Sequence, residues 1–237
     1  MVHAKQALAS LEAIRAEAHG IRGALSGRLR IGSIPSATVN LSPKAMAQFA
    51  RRHPAVELVL LEEPSQGMRQ LLEWLGSATI DIALLETPIG AVEVAPLIRD
   101  EMCAIVSSRS PLARHKQVSV LELTKEPFIM SRYSSERLIR AAYARENIAP
   151  AVRFEVQDLG TLVGMVREGL GISIVPKVAF PTAPPGVSLI PILPRIRRQL
   201  GHEVSPPRRP SPTGEAFIEA LREVSGTARA TAGTSLP

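Results

Sequence analysis

Cysteine is almost missing from this sequence: Cys103 is the only one in 237 residues. A disulfide framework and a cysteine-rich zinc site are both excluded, and a lone thiol fits a reducing compartment. Long apolar runs are missing as well. No stretch approaches the roughly 18 apolar residues needed to span a bilayer, and the opening MVHAKQALASLEAIRAEAH is charged and amphipathic, without the apolar centre of an export signal. The expected location is cytoplasmic, with no membrane partner. The five histidines, His3, His19, His53, His115 and His202, show no metal-ligand spacing and offer no partner to a nucleophilic serine; they read as surface residues of turns and charged segments. No glycine-rich turn follows the first strand, so GLGIS at 169–173 is neither a phosphate loop nor a full dinucleotide fingerprint. Glu62 and Glu63 are adjacent, so at a strand end their side chains point oppositely and form no catalytic pair. Enzymatic activity, a metal and a cofactor are therefore not expected.

What is present suits a globular chain. Hydrophobic residues make up 45% and charged residues 21%, and the mean hydropathy is +0.11. The length favours two compact units of about 100 residues each over one core. The net charge is +6, which raises nucleic acid as a partner, but the basic residues cluster poorly. The densest run, Arg195, Arg197, Arg198, His202, Arg208 and Arg209, lies in a proline-punctuated stretch with no recognition helix or stacking aromatics beside it. It reads as a solvated strand edge and loop, with an electrostatic contact to DNA or a partner subunit as the alternative.

Residues 1–26 read as one helix in which Ala7, Leu11, Ile14, Ala18, Ile21 and Leu25 alternate at spacings of four and three. This is a heptad seam about three heptads long, suited to packing on a second copy or on the same chain. Gly27 opens a βαβαβ run: a strand at 29–32, a helix ending near His53, a strand at 56–61, a helix at 66–75 and a strand at 80–84. Runs such as VELVLL and IDIALL imply burial on both faces, as in a parallel sheet covered by helices. The first helix has two competing starts, one capped by Ser36 and one in which Ser42 caps Pro43. A second unit repeats the grammar after the segment 94–107, with a short helix at 118–123, a strand at 128–130, a helix at 135–146, a strand at 153–156, a helix at 159–168 and a strand at 171–175. Asp158 caps the start of that last helix and Gly169 stops it. Pro181, Pro184, Pro185 and Gly186 then form a connector to strands at 187–192 and 197–204 and a helix at 213–224. The tail 226–237 reads as disordered.

Six stretches, taken in order, resemble the effector-binding region of LysR-type transcriptional regulators: GRLRIGSIPSA at 27–37, FARRHPAVELVLLE at 49–62, IDIALLE at 80–86, PLIRDEMCAIVSSRSPLA at 96–113, DLGTLVGMVREGLGISIVP at 158–176 and SPTGEAFIEALRE at 211–223. Their order and spacing carry the resemblance, not any one of them. It implies an α/β fold of two Rossmann-like lobes of the periplasmic-binding-protein type (type 2), joined by two crossover strands and preceded by a linker helix. Lobe I would hold 27–99 and 182–225, lobe II 100–181, and 1–26 the end of the dimerising linker. The helix-turn-helix of such regulators is absent from this chain, so DNA would be bound only through that missing element. The implied partners are a small-molecule effector in the cleft between the lobes and further copies of the chain, as a dimer or tetramer. A solute-binding protein of the same fold, and a short regulator acting through subunit contacts, are the alternatives.

Open α/β sheets bind ligands beyond the carboxyl ends of their strands. In the first unit that place is Ser33, Pro35, Ser36 and Ala37 after the first strand, with Ser65 after the second and Glu86 after the third. The resemblance assigns the same stretch to effector contact, with Ser36 foremost and Ser65 facing it; helix capping is the plain alternative for each hydroxyl. In the second unit the place is Arg132, Tyr133, Ser134 and Ser135, together with Asp158. Arg132 suits a carboxylate ligand or solvent, and Asp158 a ligand or a cap. These features favour an anionic metabolite.

Overall fold

The computed structural model describes residues 25–62, 68–87, 94–132, 135–204 and 210–233. The chain forms two compact units, one ending at Ile98 and resuming at Gln199, the other running from Arg99 to Arg198.

In the first unit, β1 (Gly27–Ser33) and β2 (Val56–Glu62) pair in parallel from Gly27↔Val56 to Ser33↔Glu62. β3 (Ile82–Thr87) joins β1 in parallel, with Ser33 opposite Leu84. The sheet is mixed, because β9 (Arg197–Val204) adds to β3 antiparallel, from Ile82↔Val204 to Thr87↔Gln199. Helices cover both faces, which suits the buried aliphatic run Ile82–Leu85 of β3. On one face α3 (Met68–Gly76) presses so close that a Cβ on Gly32 would meet Ile80 and lie 2.9 Å from Leu71. On the other, α2 (Leu41–Arg52) buries Leu41, Ala45 and Phe49, one helical turn apart. Phe49 meets Phe217 of α7 (Pro212–Gly233) edge to face at 5.6 Å between ring centroids.

Neither serine caps a helix. α1 (Pro35–Thr38) is a single turn that starts on Pro35 after an extended Ile34, and α2 starts after Asn40; Ser36 and Ser42 sit inside these helices, both buried. β3 begins two residues later than the apolar run suggests. Arg30 and Asp81 explain the shift: the Asp81 carboxylate accepts from the Arg30 backbone N–H at 2.8 Å and from its guanidinium at 2.9 and 3.1 Å, while Asp81 N–H donates to the Arg30 carbonyl at 2.8 Å. That grip ties residue 81 to β1, and the ladder to β9 starts beyond it.

In the second unit β4 (Ala95–Ser107), which crosses from the first unit at Ile98–Arg99, is flanked by two antiparallel strands, β7 (Ser173–Pro176) and β8 (Val187–Pro191). β5 (Phe128–Ser131) and β6 (Val152–Val156) form a parallel pair with Ser131 opposite Val156. Alternate residues of β4 enter two cores. Met102, Ala104 and Val106 pack with Phe128, Ile139 and Tyr143, where α4 (Val120–Leu123) and α5 (Ser135–Arg145) lie. Cys103 and Ile105 pack with Leu162, Val166 and Val175 beside α6 (Leu159–Arg167). A capping box between Ser119 and Glu122 starts α4.

Two boundaries differ from the sequence reading. The chain leaves the second unit at Arg198–Gln199, not near residue 182, because β8 pairs with β4 inside that unit. The terminal helix continues past Val224 to Gly233, so residues 226–233 are helical, not disordered; the alanines of GTARATAG favour that continuation. The expected linker helix over 1–26 lies outside the described residues except for its last two.

Candidate functional site

At the carboxyl end of β1, Ser33 is fully buried, with its hydroxyl 3.2 Å from the Ser42 hydroxyl and 3.2 Å from the Ile34 carbonyl. That hydroxyl docks β1 on α2. Ile34 N–H donates to the Leu84 carbonyl at 3.3 Å, and the Ile34 carbonyl accepts from Ala37 N–H at 2.9 Å and Thr38 N–H at 3.1 Å, which closes the turn. Pro35, Ser36 and Ala37 form this turn and are buried; Ser36 is 6% exposed, so it does not stand open to solvent. Glu86 is not beyond the third strand but within it, opposite Leu200 and 1% exposed. β9 keeps pairing out to Gln199, and this carries β3 past Leu84. Ser33, Pro35, Ser36 and Ala37 are thus brought together in one turn, with Glu86 on the adjoining strand. Ser65 lies outside the described residues.

In the second unit the same topological position follows β5. Arg132 N–H donates to the Val156 carbonyl at 2.9 Å, which seats Arg132 against β6. Its guanidinium is already engaged: it donates to Glu155 at 2.8 Å and lies 3.9 Å from Glu136. The hydrogen bond and charge of Glu155 hold the Arg132 guanidinium even more firmly protonated than usual. Ser135 opens α5 and is buried. Asp158 caps α6, accepting from Thr161 N–H at 2.6 Å and the Thr161 hydroxyl at 2.8 Å, and these bonds hold its carboxyl below the usual carboxylate range. Tyr133 and Ser134 lie outside the described residues. Arg132, Ser135 and Asp158 therefore all follow the carboxyl ends of β5 and β6, and internal partners already hold Arg132 and Asp158.

Two features of the basic run escaped the sequence. Arg198 and His202 are each 6% exposed, not solvated. Arg198 donates to Asp100 at 2.8 Å, and the second oxygen of Asp100 accepts from Val178 N–H at 2.9 Å. Arg195 and Arg197, by contrast, are exposed beside Glu101. The signal was the period of two that places Arg198 and His202 on the same side of β9 as Leu200. Cys103 is buried, and burial pushes its thiol up to about 12, so it is not a reactive thiolate. Among the described residues, no group of three or more His, Cys, Asp or Glu is placed to hold a metal ion, and no helix is long and apolar enough to cross a membrane.

Comparison with known proteins agrees with this geometry. The family model described as the LysR substrate binding domain matches residues 22–226. The HTH-type transcriptional regulator YvbU of Bacillus subtilis, itself uncharacterized, is 27% identical over 230 residues, covering 95% of this chain and 77% of its own. Among solved structures, a cysteine mutant of OxyR from Corynebacterium glutamicum with hydrogen peroxide bound superposes with a TM-score of 0.77 at 22% identity, covering 98% of this chain and 75% of that one. The regulatory domain of CcmR from Synechocystis, in complex with 2-PG, gives a TM-score of 0.74 at 18% identity over 84% of this chain and 98% of that one. At these identities the likeness establishes the fold, an α/β architecture of the type 2 periplasmic-binding-protein kind.

Proposed function

This chain belongs to the LysR substrate binding domain family, and from that premise we propose that it senses a small anionic metabolite for a transcriptional regulator. One observation carries the reading: in each unit the carboxyl end of a parallel strand leads within a few residues to a helix start, at Pro35 after β1 and at Ser135 after β5. Strand ends of this kind present backbone N–H groups to a ligand. The 2-PG complex of the CcmR regulatory domain supports a small-molecule ligand. Because Glu155 engages Arg132, the charge of an anion is met mainly by backbone N–H groups and by the hydroxyls of Ser36, Ser65, Tyr133 and Ser134. The peroxide-bound neighbour suggests a different sensor, but the buried thiol of Cys103 is poorly suited to peroxide chemistry.

A thermal-shift screen of carboxylates, phosphates and amines tests this reading. An effector at about 100 times its dissociation constant stabilises the fold by roughly 2.7 kcal/mol, a rise of several degrees. Calorimetry should then show about tenfold weaker binding to Ser36→Ala, the loss expected for one hydrogen bond. Alanine is the suitable probe, since a bulky side chain at this buried position would disturb packing. Shifts by amines alone would sink the anionic assignment, and equal affinity for Ser36→Ala would remove Ser36 from the site.

Self-association belongs to the same reading and rests on the heptad seam of residues 7–25. Sedimentation at micromolar concentration is expected to show a dimer or tetramer. A monomer of 25.5 kDa throughout that range would contradict it.

A further inference from the structure

We propose that the docking of α7 on the sheet of the first unit is acid-labile, and that His202 is the residue that makes it so. His202 stands on β9 opposite Leu84 of β3, on the face that also carries Ile82 and Val204. α7 lies over this face: a Cβ on Gly214 would come within 3.8 Å of Ile82, and Arg222, two turns further on, acts on the imidazole. His202 is 6% exposed, and its Nδ1 is buried with no hydrogen-bond partner among the described residues. Thr213 Oγ1, at the start of α7, is in the same position. Among the described residues, β9 and the start of α7 thus hold two buried polar atoms that no protein group answers.

Protonation makes the imbalance worse. A neutral imidazole buries one unanswered nitrogen, whereas an imidazolium buries a charge and must donate from both nitrogens. The charge bearing on it is Arg222, of like sign. Glu86, on the same face of β3, stands opposite Leu200 and not opposite His202. Among the described side chains, the other charged ones of α2 and α7, Lys44, Arg51, Arg52, Glu215, Glu219 and Glu223, are exposed. Burial first, and Arg222 second, hold His202 below its ordinary value. The unfolded chain therefore binds this proton more readily than the folded one. Stability from the neutral ring is fully present above the unfolded value of about 6.5 and is lost as pH falls from there through the folded value. The upper part of that window, just below 6.5, lies above the range in which ordinary carboxylates titrate.

The test follows hydrogen exchange of α7 amides and thermal unfolding between pH 7.5 and 5.5, in the wild type and in His202→Gln and His202→Leu. After correction for intrinsic exchange, protection of α7 in the wild type is expected to fall by up to tenfold per pH unit between about 6.5 and the folded value and to level off below it, with a melting temperature lower by several degrees. Both variants are expected to stay flat across the window. Parallel losses in wild type and His202→Gln would overturn the proposal, as would loss spread evenly over the chain. Should neither variant fold, an NMR titration of the wild-type ring decides it: a value at or above 6.5 refutes the proposal and a lower one supports it.

Discussion

Asp100→Ala is expected to destabilise the protein by about 3–5 kcal/mol, the usual loss when one partner of a buried ion pair is removed. The side chains of Asp100 and Arg198 are only 3% and 1% exposed, with 2.8 Å between carboxylate oxygen and Nε. One Asp100 oxygen accepts from Arg198 and the other from Val178 N–H. A single carboxylate therefore ties three segments: β4 just after the chain enters the second unit, β9 just before it leaves, and the turn that follows β7. Truncation leaves the guanidinium buried without its counter-charge and takes an acceptor from Val178. Urea unfolding measures the loss, and Asp100→Leu combined with Arg198→Met should recover most of it, since a buried pair replaced by apolar side chains is often close to neutral. A single variant within about 1 kcal/mol of wild type would show the pair to be solvent-screened, as surface pairs are.

That pair also marks where the sequence stops being legible. Local signals read well: the aliphatic runs of β2 and β3, the amphipathic stripe of α2, and the Asp158 cap with the Gly169 stop (φ +77) that bound α6 all act within a few residues. Features set by distant partners did not. β3 reaches Thr87, and encloses Glu86, because residues 199–204 pair with it. The basic composition around Arg195–Arg209 suggested solvent, while the parity of β9 decided which of those side chains turn inward. The candidate site divides along the same line. Its position at strand ends follows from the βα grammar, but the occupation of Arg132 by Glu155, from a neighbouring strand, and of the Ser33 hydroxyl by Ser42 required the fold. The prolines between 181 and 185 signal a turn correctly, yet nothing in them tells a turn within a unit from a passage between units.

Gly171→Ala is the second substitution expected to do marked damage, about 3 kcal/mol, at the upper end of overpacking losses. Gly171 precedes β7, where Ile172 N–H donates to the Pro127 carbonyl at 2.8 Å and Ile129 N–H donates to the Ile172 carbonyl at 2.8 Å. Those bonds draw the segment against β5 so closely that a Cβ would collide with the Pro127 carbonyl oxygen and stand 3.1 Å from its carbon and 3.3 Å from Ile129 Cγ1. The obstacle is backbone, so no side chain can rotate away, and the parting of β5 from β7 would disturb both cores of the unit. Gly164 supplies the contrast. It lies inside α6 with nothing within 4 Å of a built Cβ, so Gly164→Ala should stabilise by about 0.5–1 kcal/mol through helix propensity. Urea midpoints of the two variants should thus move in opposite directions from wild type. If Gly171→Ala were as stable as Gly164→Ala, the close approach of Pro127 to residue 171 would not be a constraint on this fold.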